Sequence, residues 1–139
     1  MVNIRLARIG DCKPCCKLSE IKELETPGGG FISENYFKKN IDDDEMFFVA
    51  EDNDEIVGYI LGEPMKDNMA FLSLLTIDKS QRGKGLGKKL LAKFEEQCHS
   101  KKLNPILFYA PRFNENTIAF YNKQGYIQGK DHVQFMKVL

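Results

Sequence analysis

One junction in the chain limits its possible folds more than any other feature. Met69-Ala-Phe-Leu-Ser-Leu-Leu-Thr-Ile77 is apolar at odd and even positions alike. A strand with two apolar faces has to be covered on both, which predicts a central place in a sheet. Directly after it, Asp78-Lys-Ser-Gln-Arg-Gly-Lys-Gly-Leu-Gly-Lys-Lys-Leu90 sets Gly83, Gly85 and Gly87 among Arg82, Lys84, Lys88 and Lys89. Glycines leave the backbone N–H groups open to close approach, and the cations make the loop positive. A helix beginning here adds its own unpaired N–H groups and the positive end of its dipole. The junction therefore reads as an anion site, with a glycine turn made for tight packing as the plainer alternative.

The 139 residues, 42% of them hydrophobic, fit a single domain with one buried core, spanning 1–139. The N-terminal Met1-Val-Asn-Ile-Arg-Leu-Ala-Arg lacks the apolar centre of a signal peptide, and no apolar run is long enough to cross a bilayer. A cytoplasmic protein without a membrane partner is expected. Cys12-Lys-Pro-Cys15 has the C-x-x-C form, but a second pair is missing, because Cys98-His99 is at most an improvised ligand set. Cys12, Cys15 and Cys16 are expected to pack on a helix capped by Asp11, and no metal site is assigned. Charge is unevenly spread. Residues 20–67 hold 14 acidic and 4 basic residues, a balance of −10, whereas residues 79–130 hold 11 basic and 3 acidic, a balance of +8. Solvated faces account for any single charge run, but the basic half coincides with the glycine loop.

Periodicity gives the remaining elements. Val2-Asn-Ile-Arg-Leu-Ala alternates as a half-buried strand does, and a first helix follows from Asp11 to about Leu24. Thr26-Pro-Gly-Gly-Gly-Phe31 is a loop. Ser33 caps a second helix that presents Tyr36, Phe37 and Ile41 on one side. Met46–Glu51 and Ile56–Gly62 are strands joined by Asp52-Asn-Asp-Glu55 as a hairpin. After the glycine loop, Leu86, Leu90, Leu91, Phe94 and Cys98 line one side of an amphipathic helix. Pro105–Ala110 is a further strand, Asn114 caps a helix ending before Gly125, and two closing strands follow from Tyr126 and over Val133–Val138. The order is that of an α/β chain with a mixed sheet.

Two nucleotide motifs fail by spacing. Arg82 stands at the first glycine of a Walker A loop and Lys89 at its hydroxyl position. Gly83-Lys-Gly85-Leu-Gly87 does not give G-x-G-x-x-G, and no strand-helix-strand unit opens the chain. What remains, Arg82-x-x-Gly85-x-Gly87 after a buried strand, resembles the [Gln/Arg]-x-x-G-x-[Gly/Ala] signature of the GNAT superfamily of acetyl-CoA-dependent N-acetyltransferases. A second segment, Asn114-Glu-Asn-Thr-Ile-Ala-Phe-Tyr121-Asn-Lys-Gln-Gly125-Tyr126, looks like the family's N-x-x-A-x-x-[Leu/Phe]-Y-x-x-x-G-[Phe/Tyr] run, with Thr117 for the usual alanine.

The resemblance implies a GNAT fold, a mixed central sheet of about seven strands flanked by four helices, with acetyl-CoA as cosubstrate and an amine as acceptor. The N–H groups from Arg82 through Gly83, Lys84, Gly85, Leu86 and Gly87 to Lys88 would hold the CoA pyrophosphate. The backbone of Leu75, Thr76 and Ile77 would pair with the pantetheine arm and polarise the thioester, and Asn114 would contact the arm. Tyr121 would protonate the departing thiolate, a core aromatic beside Phe120 being the plainer alternative. Relatives that carry a strand glutamate as base have it at the positions of Phe71 or Tyr109. Glu63 is the nearest carboxylate, acting through a water or standing as an ordinary solvated residue. Ser73 could order such a water or be a satisfied core serine. Glu23, Glu25, Glu34, Glu63 and Asp67 are expected near the acceptor's approach, with Thr26–Phe31 as a flexible wall, so the acceptor is expected to be cationic. A CoA-sensing domain without chemistry is the alternative function. Nucleic-acid binding is disfavoured because the cations lack an aromatic platform. The oligomeric state stays open, a homodimer among the options.

Overall fold

The computed structural model describes residues 1–139. It forms two compact units, Met1–Phe108 and Tyr109–Leu139. In the first, β1 (Val2–Leu6), α1 (Cys12–Leu18), α2 (Glu34–Lys39), β2 (Phe47–Asp52), β3 (Glu55–Met65), β4 (Met69–Ile77), α3 (Leu86–Ser100) and β5 (Ile106–Leu107) follow in sequence. The sheet runs β1-β2-β3-β4-β5, with the first three pairings antiparallel and the last parallel. The β2–β3 connection is tight because Asn53 and Asp54 both take positive φ, 49° and 65°. Asn and Asp tolerate that region in two-residue hairpin turns.

Alternation splits the sheet's two faces. Phe47 and Val49 of β2 and Tyr59 and Leu61 of β3 form one core with Cys12, Cys15 and Phe37 from α1 and α2. Phe37 meets Tyr59 edge-on, ring centroids 5.4 Å apart. The opposite face takes α3, whose buried residues are Leu86, Leu90, Leu91, Phe94 and Cys98. The α3 side chains fit because β3 is bare at Gly58 and Gly62. A Cβ at Gly62 would lie 2.3 Å from Phe94 Cζ and 2.6 Å from the Phe71 carbonyl oxygen. Just past the end of α3, Lys102 takes a φ of 58° that lets the Leu103 N–H reach the Cys98 carbonyl at 2.9 Å.

The first helix is shorter than expected. The Ser19 hydroxyl turns back to the Cys15 carbonyl at 2.7 Å and meets the Tyr59 hydroxyl at 2.5 Å. Such side-chain bonds compete with helix continuation, and Lys22–Leu24 form only a 3-10 turn. Asp11 does not cap α1 with its side chain. Its carboxylate instead accepts from the Arg8 N–H at 2.7 Å and from both Nη atoms of Arg5 at 2.8 and 3.1 Å, while Arg5 also holds Glu51. Cys12 and Cys15 are buried free thiols, and burial pushes Cys15 well above the ordinary thiol range, so these cysteines act as apolar packing groups.

The second unit contains α4 (Glu115–Lys123). Asn114 caps it, Oδ1 accepting from the Thr117 N–H at 3.3 Å, as the sequence implied. At the other end, Gly125 with φ 88° lets its own N–H bond the Asn122 carbonyl and the Tyr126 N–H bond the Tyr121 carbonyl. The two closing strands are absent, so the sheet has five strands and not seven. Residues 126–139 leave Ile127, Val133, Phe135 and Val138 exposed. Alternation identifies a segment able to pair but says nothing of whether an edge is offered to it, and β5 extends over only two residues instead of Pro105–Ala110.

Gly62→Ala is expected to lose about 2 kcal/mol or more of unfolding free energy by urea titration, because the Phe71 carbonyl cannot give way as a side chain can. A second expectation concerns acid. Burial alone would raise Asp11, but Arg5 and the Arg8 N–H hold it below its ordinary value. A depressed carboxylate contributes stability that is complete above the unfolded value of about 3.9 and is lost as pH falls through the folded one. Asp11→Asn should therefore cost about 2 kcal/mol at neutral pH and flatten the acid limb of a stability–pH curve.

Candidate active site

β4 pairs with β3 along its whole length, but with β5 only at Ala70 and Phe71. Its other edge is therefore open beyond Phe71. The amide direction follows from alternation. The Ala70 N–H points away from β3, donating to the Pro105 carbonyl at 3.0 Å, whereas the Asp78 N–H points to β3 and donates to Val57 at 2.9 Å. These two residues are eight apart and would point the same way in a regular strand. The extra residue is Ser73, since Leu61 pairs with Leu74 and Gly62 with Leu72. Counting back from Asp78, the N–H and C=O groups of Leu75 and Ile77 face the open edge. The Arg82 Nε donates to the Ile77 carbonyl at 3.1 Å on that edge.

A 3-10 turn, Lys79–Gln81, carries the chain from β4 into the glycine loop. Gly83 and Gly85 have φ of 78° and 80°, and a Cβ built on either meets nothing within 4 Å. Backbone conformation demands these glycines, and the space above them is open. Gly85 occupies the N-cap of α3, and the first backbone bond into the helix is from Lys89 N–H to the Gly85 carbonyl at 3.2 Å. The N–H groups before Lys89 thus precede the helical ladder, at the positive end of a helix of 15 residues. Arg82, Lys84 and Lys88 are exposed, while Leu86 is buried as an anchor to the sheet. The structure thus joins Leu75, Thr76, Ile77 and Arg82–Lys88 in one strand-turn-helix. The Thr76 side chain is committed elsewhere, donating to the Tyr59 hydroxyl at 3.2 Å, so only its backbone belongs to this surface. A cleft of about 320 Å³ adjoins the loop, lined by Glu20, Ile21, Lys22, Glu23, Lys79 and Arg82.

On the α2 face of the sheet, Tyr59, Leu61 and Glu63 lie two apart on β3. The first two are buried, and Glu63 continues their face into solvent, directly across from Phe71. Beside them stands Tyr36 of α2, which sequence reasoning assigned to packing. Phe37 is the one fully buried residue of α2, which leaves its neighbour Tyr36 at the border of the packed face, 37% exposed. Burial raises its phenol, the Ser73 hydroxyl pulls the other way, and the Glu63 charge raises it further. Of the other carboxylates expected near the acceptor, Glu34 is paired with Lys38 at 2.9 Å and Glu23 lines the cleft. The Thr26–Phe31 loop is tied rather than slack: Thr26 N–H donates to Gly30, Gly29 N–H to Thr26, and Gly30 N–H to Thr26 Oγ1.

In the second unit, Asn114 and Tyr121 lie at the start and in the last turn of α4. Tyr121 is buried, its ring edge-on to Phe120 at 5.0 Å and Tyr126 at 5.5 Å. Burial drives its phenol far above the ordinary range, which makes it a weaker acid than an exposed tyrosine. Tyr109 is 66% exposed against His132. No group of three or more His, Cys, Asp or Glu side chains is arranged to hold a metal, and no helix is long and apolar enough to cross a membrane.

Comparison with known proteins agrees with this architecture. Residues 17–126 match the model of the acetyltransferase (GNAT) family. The chain belongs to that family. An uncharacterised Bacillus subtilis protein, YxbD, is 32% identical over 87 residues, 63% of this chain and 53% of the relative. The L-2,4-diaminobutyric acid acetyltransferase of Marinococcus halophilus is 43% identical over 49 residues, 34% of this chain and 28% of the relative. The chain thus matches about half or less of these relatives' lengths. Among solved structures, Ard1 from Thermoplasma volcanium superposes with a TM-score of 0.82 at 20% identity, over 93% of this chain and 84% of the other.

Gly85→Glu is expected to abolish acetyl-CoA binding in a calorimetric titration without added magnesium, since the side chain both strains the φ of 80° and sets a carboxylate where an anion would sit. Gly85→Ala isolates the strain and should retain weakened binding.

Proposed function

We propose that this GNAT protein, with residues 1–139 working as one catalytic domain, moves an acetyl group from acetyl-CoA to a primary amine. The observation that carries the proposal is the open edge of β4, running without interruption into a row of helix-start N–H groups. An amide-bearing arm ending in a pyrophosphate fits such an edge and such a row together. The family match crosses the boundary between the two compact units, which supports treating them as one domain.

In the proposed reaction the amine loses a proton to Glu63, directly or through water, and attacks the thioester carbonyl. A β4 N–H at the open edge stabilises the oxyanion, the C–S bond breaks, and the Tyr121 hydroxyl protonates the thiolate. The match of Tyr121 to the tyrosine of the second family motif supports the last step. Glu63 as base is supported by its register: relatives with a strand base carry a glutamate where this chain has Phe71, and Glu63 projects from the neighbouring strand directly opposite. Asn114 would contact the cofactor arm through its amide, Oδ1 being engaged as the helix cap. For the acceptor, the −10 balance of residues 20–67 favours a cation. The matched relative named for diaminobutyric acid acts on an amine of that kind.

The test is CoA thiol release with spermidine, L-2,4-diaminobutyrate, an alanyl peptide and L-glutamate. Turnover of a cationic amine is expected, with kcat/KM falling as salt rises, and Tyr121→Phe should lower kcat about 10²-fold at unchanged acetyl-CoA affinity. Tight CoA binding without turnover of any amine would establish the sensor instead. A preference for glutamate would overturn the cationic acceptor.

A further inference from the structure

We propose that the cleft beside the glycine loop is a second phosphate site, in which Lys22, Lys79 and Arg82 hold the ribose 3′-phosphate of acetyl-CoA. The inference rests on the transferase reading above and deepens it. It extends the cofactor surface from the pyrophosphate row to residues 20–23, a segment that neither family motif contains.

Both walls of the cleft are short extensions of one buried tie. Ser19 meets the Tyr59 hydroxyl at 2.5 Å and Thr76 donates to the same oxygen at 3.2 Å. Glu20, Ile21, Lys22 and Glu23 follow directly on Ser19, and Lys79 stands three residues beyond Thr76. The separation of the walls is therefore set by the core and not by loose loops. Arg82 is committed through Nε alone, which donates to the Ile77 carbonyl at 3.1 Å. Its Nη groups carry no bond to the protein, and the residue lines the cleft.

Five of the six lining side chains are charged, three cations and two carboxylates, and none of them forms an ion pair. A bare anion would be drawn by the cations and repelled by Glu20 and Glu23. A phosphate carried on a ribose uses both sets: its oxygens accept from Lys22, Lys79 and Arg82, while the carboxylates accept from the neighbouring 2′-hydroxyl and the adenine amino group. Ile21 offers the base an apolar contact. The volume, about 320 Å³, stands at the lower end of small-molecule sites, which suits one end of a cofactor and not its whole length. Connectivity agrees. Arg82 is where the cleft meets the N–H row, so a ligand with its pyrophosphate on that row delivers the next group along its chain, the phosphorylated ribose, to the cleft.

The experiment compares acetyl-CoA with acetyl-3′-dephospho-CoA by calorimetric titration of the intact protein at fixed ionic strength. Removing the 3′-phosphate should weaken binding about 10-fold, the scale of a charge-assisted contact at a solvent-accessible site. Lys22→Gln and Lys79→Gln, both at exposed positions, should each bring the ratio of the two affinities toward one, and the double variant should abolish most of the discrimination. Inorganic phosphate should compete more strongly with acetyl-CoA than with the dephospho form, because only the first needs the cleft. Equal affinity of the wild type for the two cofactors overturns the assignment and leaves the transferase reading intact. So does discrimination that survives in the double variant, which would place the 3′-phosphate elsewhere, and so does equal competition by phosphate. A wild type that binds neither cofactor overturns this assignment and the transferase reading together.

Discussion

The Tyr59 hydroxyl holds the first unit together at its least accessible point. Its ring is fully buried, and its oxygen joins three elements in a directed chain: Thr76 donates to Tyr59, Tyr59 meets Ser19, and Ser19 donates to the Cys15 carbonyl. Every polar atom along this line is satisfied inside an apolar core, where an unmatched one would be costly. The chain fixes the end of α1, the middle of β3 and the end of β4 against one another. Burial accordingly pushes the Tyr59 phenol up to about 12, so the proton that completes the chain is never lost at physiological pH.

Seen from Thr76, the surface that would receive a cofactor is an outgrowth of that core. The side chain of Thr76 faces inward to Tyr59, so Leu75 and Ile77 on either side must turn their amides to the open edge. On the opposite face, Gly58 and Gly62 let α3 settle close to β3, with Phe94 over Gly62 and Leu90 over Gly58. The helix start is thereby anchored by Leu86 while Gly83 and Gly85 carry no load. Rigidity below and bare backbone above come from different glycines, those on β3 serving contact and those in the loop serving φ.

Much of this was legible in the sequence, because it depends on local rules. The bounds of β4, the buried stripe of α3, the Ser33 and Asn114 caps and the hairpin at Asn53-Asp54 all follow from periodicity or from one residue's backbone preference. What was missed depends on partners distant in sequence. Ser19 ends α1 because Tyr59, 40 residues away, waits for its hydroxyl. Asp11 turns from the helix it precedes because Arg5, itself held by Glu51 on β2, takes its carboxylate. The closing strands were read from alternation alone, and alternation carries no information about a receiving edge.

The open edge of β4 has a meaning for the protein before any ligand arrives. A row of unpaired strand amides beside apolar side chains is the surface on which chains recruit one another into aggregates. This one is guarded at its end, where Arg82 lays its guanidinium on the Ile77 carbonyl and the exposed Lys84 and Lys88 follow. Cations flanking an obligatory sticky segment are the usual gatekeepers against such recruitment. Charges that would suit the loop to a phosphate thus also stand where they would oppose edge-to-edge pairing with another copy. A bound arm lying along the strand would relieve them of that duty, so occupancy of the site and resistance to self-association are two expressions of the same backbone row.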